Sequence, residues 1–155
     1  MISMLRDRLS ETLKSSMKEK KPVAVSTLRL ILTAIKDRDI AARSKGVDDG
    51  ISDTDILQVL QTMVRQRHDS IEMYTQGNRP ELAAREAEEI TVIEGFMPRQ
   101  LGDAEIEAAI ASVIEDTGAS SIKDMGKAMG ALRERFAGQM DFGNASARLK
   151  AQLSN

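Results

Sequence analysis

Three observations predict an all-α fold for this chain. Apolar residues recur at every third or fourth position through most of the 155 residues, the spacing of one helix face. Gly, Pro, Ser and Asp stand between these stretches, where helices start and stop. No window alternates apolar and polar residues with β-branched enrichment, so no sheet is expected. The architecture read from this pattern is two helical subdomains: a four-helix N-terminal domain over residues 1–97, and a three-helix tail-like domain over residues 98–155.

Leu5, Leu9, Leu13 and Met17 recur every fourth residue, giving a first amphipathic helix that should end near Lys20 and Lys21, with cations suited to its C-terminal dipole. Pro22 is fit to open the second helix. That helix runs from about Val23 to Arg43, with Leu28, Ile31, Leu32 and Ile35 on one side. Residues 46–50, Gly-Val-Asp-Asp-Gly, read as a loop. Ser52 and Asp55 resemble a capping box opening a third helix, whose stripe of Ile56, Leu60, Met63, Ile71 and Tyr74 reaches Gly77. Such a helix is about 35 Å long. Leu82, Ile90 and Ile93 mark a fourth helix, expected to end at Met97-Pro98, because proline lacks a donor and disfavours helix at the residue before it.

Folding the third and fourth helices together about residues 77–80 brings residues equidistant from the turn face to face. Arg67 then arrives beside Ile90, and Ser70 beside Ala87. Arg65, Arg67 and Arg79 are thereby aimed at the seam that receives Glu86 and Glu89. Beyond Pro98, Asp103 is expected to cap a short helix bearing Ile106, Ile110, Val113 and Ile114, which Gly118 ends. Ser121 and Asp124 open a sixth helix through about Phe136, and Asp141 to Leu153 reads as a seventh.

At this length roughly two-thirds of the unfolded surface can be buried without staples. There is no Cys, hence no disulfide framework and no thiolate nucleophile or metal site. The expected compartment is the cytoplasm. The N-terminal residues lack a secretory apolar run, and Asp7 and Glu11 argue against a transit peptide. No stretch is apolar and long enough for a membrane span.

The formal net charge of −2 conceals a pattern. Residues 1–45 hold 11 Lys/Arg against 5 Asp/Glu, residues 46–117 hold 5 against 16, and residues 118–155 hold 6 against 3. Both ends are basic and the middle is acidic. Such blocks either neutralise each other by packing or leave a basic end for a polyanion.

Catalytic patterns are weak. Ser15 with Lys18 has the spacing of penicillin-recognising enzymes, but no Ser-Asp-Asn or Lys-Thr-Gly follows. Ser120, Ser121 and Lys123 faintly resemble amidase chemistry, yet Ser121 suits a helix cap. His68 is the single histidine, so neither a histidine metal cluster nor a triad with a spare histidine exists. Glu86, Glu88 and Glu89 offer oxygen ligands, but without a phosphate-cradling loop they are expected to pair with Arg67, Arg85 or the basic N-terminal helices. No catalytic residue, metal or cofactor is predicted.

Gly126 and Gly130 lie inside a predicted helix, where each glycine costs about 1 kcal/mol relative to Ala. Close approach of another backbone would account for them: a neighbouring helix, or a nucleic-acid sugar-phosphate edge. Lys123, Lys127, Arg133 and Arg135 surround them, with Arg148 and Lys150 on the last helix. With no Trp, one Tyr and three Phe, stacking platforms for single-stranded bases are scarce. Contact would therefore read backbone and shape, as structured RNA is commonly held.

The chain resembles the YqeY family over nearly its whole length. The residues that carry the resemblance are Thr27-Leu28-Arg29, Gln66-Arg67 with Ser70-Ile71, Arg79 with Leu82, Glu86 and Glu89, Pro98-Arg99-Gln100-Leu101, and Asp124-Met125-Gly126-Lys127-Ala128-Met129-Gly130. The second domain is also similar to the tail of the B subunit of the tRNA-dependent Asp/Glu amidotransferase, through Gly126 with Met129, Gly138 and the leucine-spaced final helix. One position departs, because amidotransferase tails tend to have Lys after the Met where this chain has Gly130.

The resemblance implies a two-domain helical protein whose tail contacts tRNA. Lys123, Lys127, Arg133 and Arg135 would neutralise phosphates while Gly126 and Gly130 admit the backbone. It also carries an association with carbon–nitrogen ligase activity with glutamine as amido-N-donor. The ATP-binding module and amidase serine of that enzyme have no counterpart here, so any such activity would be that of a component. The expected function is a non-catalytic tRNA-binding accessory module in translation. The alternative is a helical module docking on an aminoacyl-tRNA synthetase or an amidotransferase through its first domain. No membrane and no DNA partner is expected.

Overall fold

The computed structural model describes residues 4–154. Among the described residues the protein is all-helical, with seven α-helices, one short 3-10 turn and no strand. The chain divides into two compact units, Met1–Met97 and Pro98–Asn155. Residues 1–3 of the expected first helix lie outside the described residues.

The first unit consists of α1 (Met4–Lys18), α2 (Pro22–Arg43), α3 (Asp53–Gln76) and α4 (Pro80–Glu94). The most extensive pairing is α3 with α4, followed by α1 with α2, and α2 also packs on α4. Leu9, Leu28, Ile31, Ile35, Ile56, Leu60 and Ile93 are fully buried at the centre, each stabilising by about 1.5–3 kcal/mol through removal from water. Of the stripe expected on α1, Leu5 and Leu9 are buried, whereas Met17 is 50% exposed and its neighbour Ser16 is buried instead.

One end of this unit is closed by a polar clasp. Both terminal nitrogens of Arg6 donate to Asp39 at 2.8 Å, and Nη2 also donates to the Ile51 carbonyl. Asp39 accepts in addition from the Ile51 amide at 2.9 Å. The Arg6 hydrogen bonds hold the Asp39 carboxyl below the usual carboxylate range, against the opposing effect of burial. Gly50 is required here: its φ is +88°, and a Cβ would come within 2.7 Å of the Arg6 guanidinium.

Backbone hydrogen bonds set the helix ends: α3 reaches Gly77 as expected, whereas α1 and α4 stop short of expectation. α1 stops at Lys18, not at Lys20–Lys21, because Lys20 adopts the left-handed conformation (φ 56°). The Lys21 amide then bonds the Ser16 carbonyl and the Lys20 amide that of Met17, a Schellman closure. α3 ends likewise, but its left-handed residue is Asn78 (φ 56°), one position past Gly77. Asn tolerates that region better than most side chains. α4 ends at Glu94, before Pro98 can act, as amides of Phe96 and Met97 tighten onto carbonyls three residues back. Ser52 does cap α3, its side chain accepting from the Asp55 amide at 3.2 Å.

The second unit contains α5 (Asp103–Thr117), a 3-10 turn (Ile122–Asp124), α6 (Met125–Arg135) and α7 (Phe142–Leu153) around its own core of Ile110, Val113, Ala128, Leu132, Ala145 and Leu149. The cap of α5 is Gly102, not Asp103, and the Gly102 amide is taken by Glu105 Oε1. Gly118 ends α5 in the left-handed region (φ 68°). What was expected as one continuous sixth helix begins as the 3-10 turn. The leading strap is fixed by the Leu101 amide on Gln139 O and by Gln100 Nε2 on Gly138 O.

Candidate nucleic-acid interface

α6 buries Ala128, Met129 and Leu132. On a helix, residues four apart share a face and those opposite the buried set look outward, so Gly126, Gly130 and Arg133 line the outer side with Lys127 beside them. All four are exposed, as is Lys123 in the preceding turn. A Cβ built on Gly126 or Gly130 would meet no heavy atom within 4 Å beyond its own turn of helix. The neighbouring-helix explanation for these glycines is thus excluded among the described residues. The two positions give up about 2 kcal/mol of helix propensity relative to Ala, and no close-packed neighbour compensates.

The expected cations separate into two groups. Arg135 Nη1 is held by Asp116 at 2.6 Å, and Arg148 is held by Asp103 at 2.7 Å and Glu107 at 3.0 Å. Lys123, Lys127 and Arg133 make no such close ion pair among the described residues, although the Lys127 charge acts on Asp124 three residues before it. The approach to α6 is fixed by Asp124, whose Oδ2 accepts from the Ser120 amide at 2.9 Å and the Ser121 amide at 3.3 Å. Those two backbone bonds hold its carboxyl below the ordinary aspartate value. Sequence reasoning did not single out Ile122, which is 49% exposed one turn before Gly126. Its only sequence signal is an apolar residue between a cap and a lysine.

In the first unit, charge is directed inward. Arg67 Nε lies 3.3 Å from Glu89 Oε2, with the two side chains 12% and 11% exposed. The contact is an ion pair without an aligned hydrogen bond at Nε, and Arg67 Nη1 donates to the Met63 carbonyl at 3.1 Å. The hairpin register is therefore close to that expected, with Arg67 reaching Glu89 beside Ile90. Glu86 is half-buried one turn away; burial, then the Glu89 charge, pushes its carboxyl above the usual glutamate value. Arg79 turns to Glu81 at 2.9 Å on the surface. Among the described residues no three His, Cys, Asp or Glu side chains are grouped to hold a metal ion. Ser15 Oγ donates to the Thr12 carbonyl.

With this geometry in place, residues 6–153 match the family model described as Yqey-like protein. The chain belongs to the YqeY family. Its relatives include proteins named "Altered inheritance of mitochondria protein 41, mitochondrial". The one from Lachancea thermotolerans is 29% identical over 110 residues, covering 70% of this YqeY chain and 57% of the relative. The one from Vanderwaltozyma polyspora is 27% identical over 124 residues, 76% of this chain and 64% of the relative. The protein from Kluyveromyces lactis is 26% identical over 110 residues, with coverages of 70% and 57%. The YqeY chain thus spans less than two-thirds of the length of these relatives.

Proposed function

We propose that this YqeY-family protein is a non-catalytic module that holds tRNA through the outer face of α6. The observation that carries the reading is the pair of glycines at 126 and 130, open to solvent along one helix face, beside Lys123, Lys127 and Arg133, which form no salt bridge among the described residues. A helix without side chains at two successive turns lets a sugar-phosphate edge come against its backbone, and Lys123, Lys127 and Arg133 then meet phosphates. Such contacts fix position on structured RNA without reading sequence. The similarity to the amidotransferase B-subunit tail supports tRNA as the RNA. Arg135 and Arg148 contribute less, because binding phosphate would require leaving Asp116, or Asp103 and Glu107. Part of this proposal is a cytoplasmic site of action, which rests on the sequence; the mitochondrial designation in the relatives' names concerns those proteins. No helix among the described residues is long and apolar enough to cross a membrane.

The test is a titration of tRNA against the full chain at several salt concentrations. Affinity should fall steeply with salt, and Lys127→Ala and Arg133→Ala should each reduce the log–log slope by about 1. Gly126→Ala and Gly130→Ala should weaken binding while leaving the slope nearly unchanged, since they obstruct approach without removing charge. Absence of binding at low salt would sink the RNA reading.

A further inference from the structure

We infer that the outer face of α2, with the turn that precedes it, is a docking surface for an acidic amphipathic helix of a partner protein. The inference concerns the first unit and does not depend on the RNA reading. α2 turns Leu28, Ile31 and Ile35 into the core, and the 100° step per residue places Arg29, Lys36 and Arg43 in line on its outer side, seven residues apart. All three are exposed; Arg29 and Lys36 form no ion pair among the described residues, and Arg43 acts on Asp39 only through its charge. Of the two acids on α2, Asp39 is engaged by Arg6, leaving Asp37 as the helix's one exposed acid. The face is basic in a chain whose net charge is −2.

It also carries exposed apolar side chains. Leu30 is 49% exposed and Ile40 is 52% exposed, separated by about 15 Å along the axis. At the N-terminal end of α2 an open depression of about 410 Å³ is lined by Met17, Lys20, Lys21, Pro22 and Val25. Met17, in the last turn of α1, is 50% exposed there. Lys21 is shared with Glu19 at 3.1 Å, and Lys20 has no acid partner among the described residues. From Pro22 to Arg43 the surface is about 31 Å long, the length of a partner helix of six turns.

Charge complementarity selects an acidic partner, and the apolar points select a protein. A helix lying along this face would place one apolar anchor in the depression and others against Leu30 and Ile40, with carboxylates toward Arg29, Lys36 and Arg43. That is the helix-on-helix mode, with apolar seam and charged flanks. A phosphate backbone would leave Leu30, Ile40 and Met17 unused, and the face offers no aromatic ring for stacking.

The test uses a fluorescein-labelled helical peptide of about three heptads, with Leu at the seam positions and Glu on the flanks, and a companion in which every Glu is Lys. Titrated against the full chain, the acidic peptide should bind and the basic one should not. Affinity should drop about tenfold or more in Arg29→Glu with Lys36→Glu, and also in Leu30→Asp with Ile40→Asp. Lys127→Ala, which the RNA reading needs, should leave it unchanged. In the unmodified chain, the amide signals of Val25, Leu30 and Ile40 should shift on peptide addition, a readout independent of variant folding. Failure of the acidic peptide to bind, equal binding of the basic peptide, or signal changes confined to other helices overturns the inference. So does binding of tRNA, or of phosphatidylglycerol–phosphatidylcholine vesicles, that is lost with Arg29 and Lys36 but indifferent to Leu30 and Ile40.

Discussion

The α3–α4 hairpin and the α6 face use the same residue types to opposite ends. In the hairpin, Arg67 and Glu89 face each other nearly out of solvent. On α6, Lys127 and Arg133 face water beside two bare glycines, with no salt bridge to either among the described residues. Buried charge holds a register, because leaving a partner alone inside is costly; exposed charge beside open backbone adds little to stability and is free for a ligand. The residues that carry the family resemblance thus divide into those paired inside the hairpin and those left exposed on α6.

Breaking the hairpin charge should have the largest effect. Arg67→Ala leaves Glu89 nearly buried without its cation and should cost about 3 kcal/mol, read as a lower denaturant midpoint; a change below about 0.5 kcal/mol would make the pair no different from a surface one. On α6 the expected sign is the reverse. Gly126→Ala and Gly130→Ala should each stabilise by about 1 kcal/mol, through helix propensity and a less flexible unfolded chain, even as they weaken tRNA binding. If either destabilises, its open surroundings have been misjudged.

A smaller effect comes from Glu86. Its folded-state carboxyl titrates above the usual value, so the folded state holds its proton more tightly than the unfolded state. The associated stability is present below the unfolded pKa and is lost as pH rises through the folded one. Glu86→Gln should therefore be more stable than the parent at pH 7, and the gain should vanish on acidification through the ordinary glutamate range. The smallest effect on stability belongs to Glu105, an exposed acid lowered to about 2 by the Arg99 guanidinium and the Gly102 amide. Its contribution has the opposite sign, present at neutral pH and lost only as pH falls toward 2. Carbon-detected titration should find Glu105 near 2, and Arg99→Ala should move it up toward the ordinary value.

What the sequence made legible was local. The capping action of Ser52 and the left-handed Gly118 follow from side-chain chemistry within four residues, and the hairpin register follows from counting outward from a turn. Other features depended on hydrogen bonds that residue identity does not reveal. Lys20 and Asn78 close their helices because carbonyls three and five residues back need donors, and α4 tightens into three-residue turns after Glu94, ahead of Pro98. For the candidate site, the glycines and cations could be picked out by type. That Arg135 belongs to Asp116, 19 residues away, and that Gly126 and Gly130 look onto open space, became visible only with the chain folded.

The clasp at Arg6 sets an order in time. α1 and α2, like α3 and α4, are neighbours across a three-residue link, whereas the Leu5 amide meets Asp53 only by spanning 48 residues and Arg6 meets Asp39 across 33. Closing longer loops costs more entropy before any contact rewards it. Both hairpins should therefore form early, and the contacts that tie the start of α1 to the start of α3 should be the last to lock in and the first to open. Hydrogen exchange under native conditions should then find the amides at the start of α1 opening at lower free energy than those at the centre of α3, with Gly50→Ala, which crowds the Arg6 guanidinium, widening the gap.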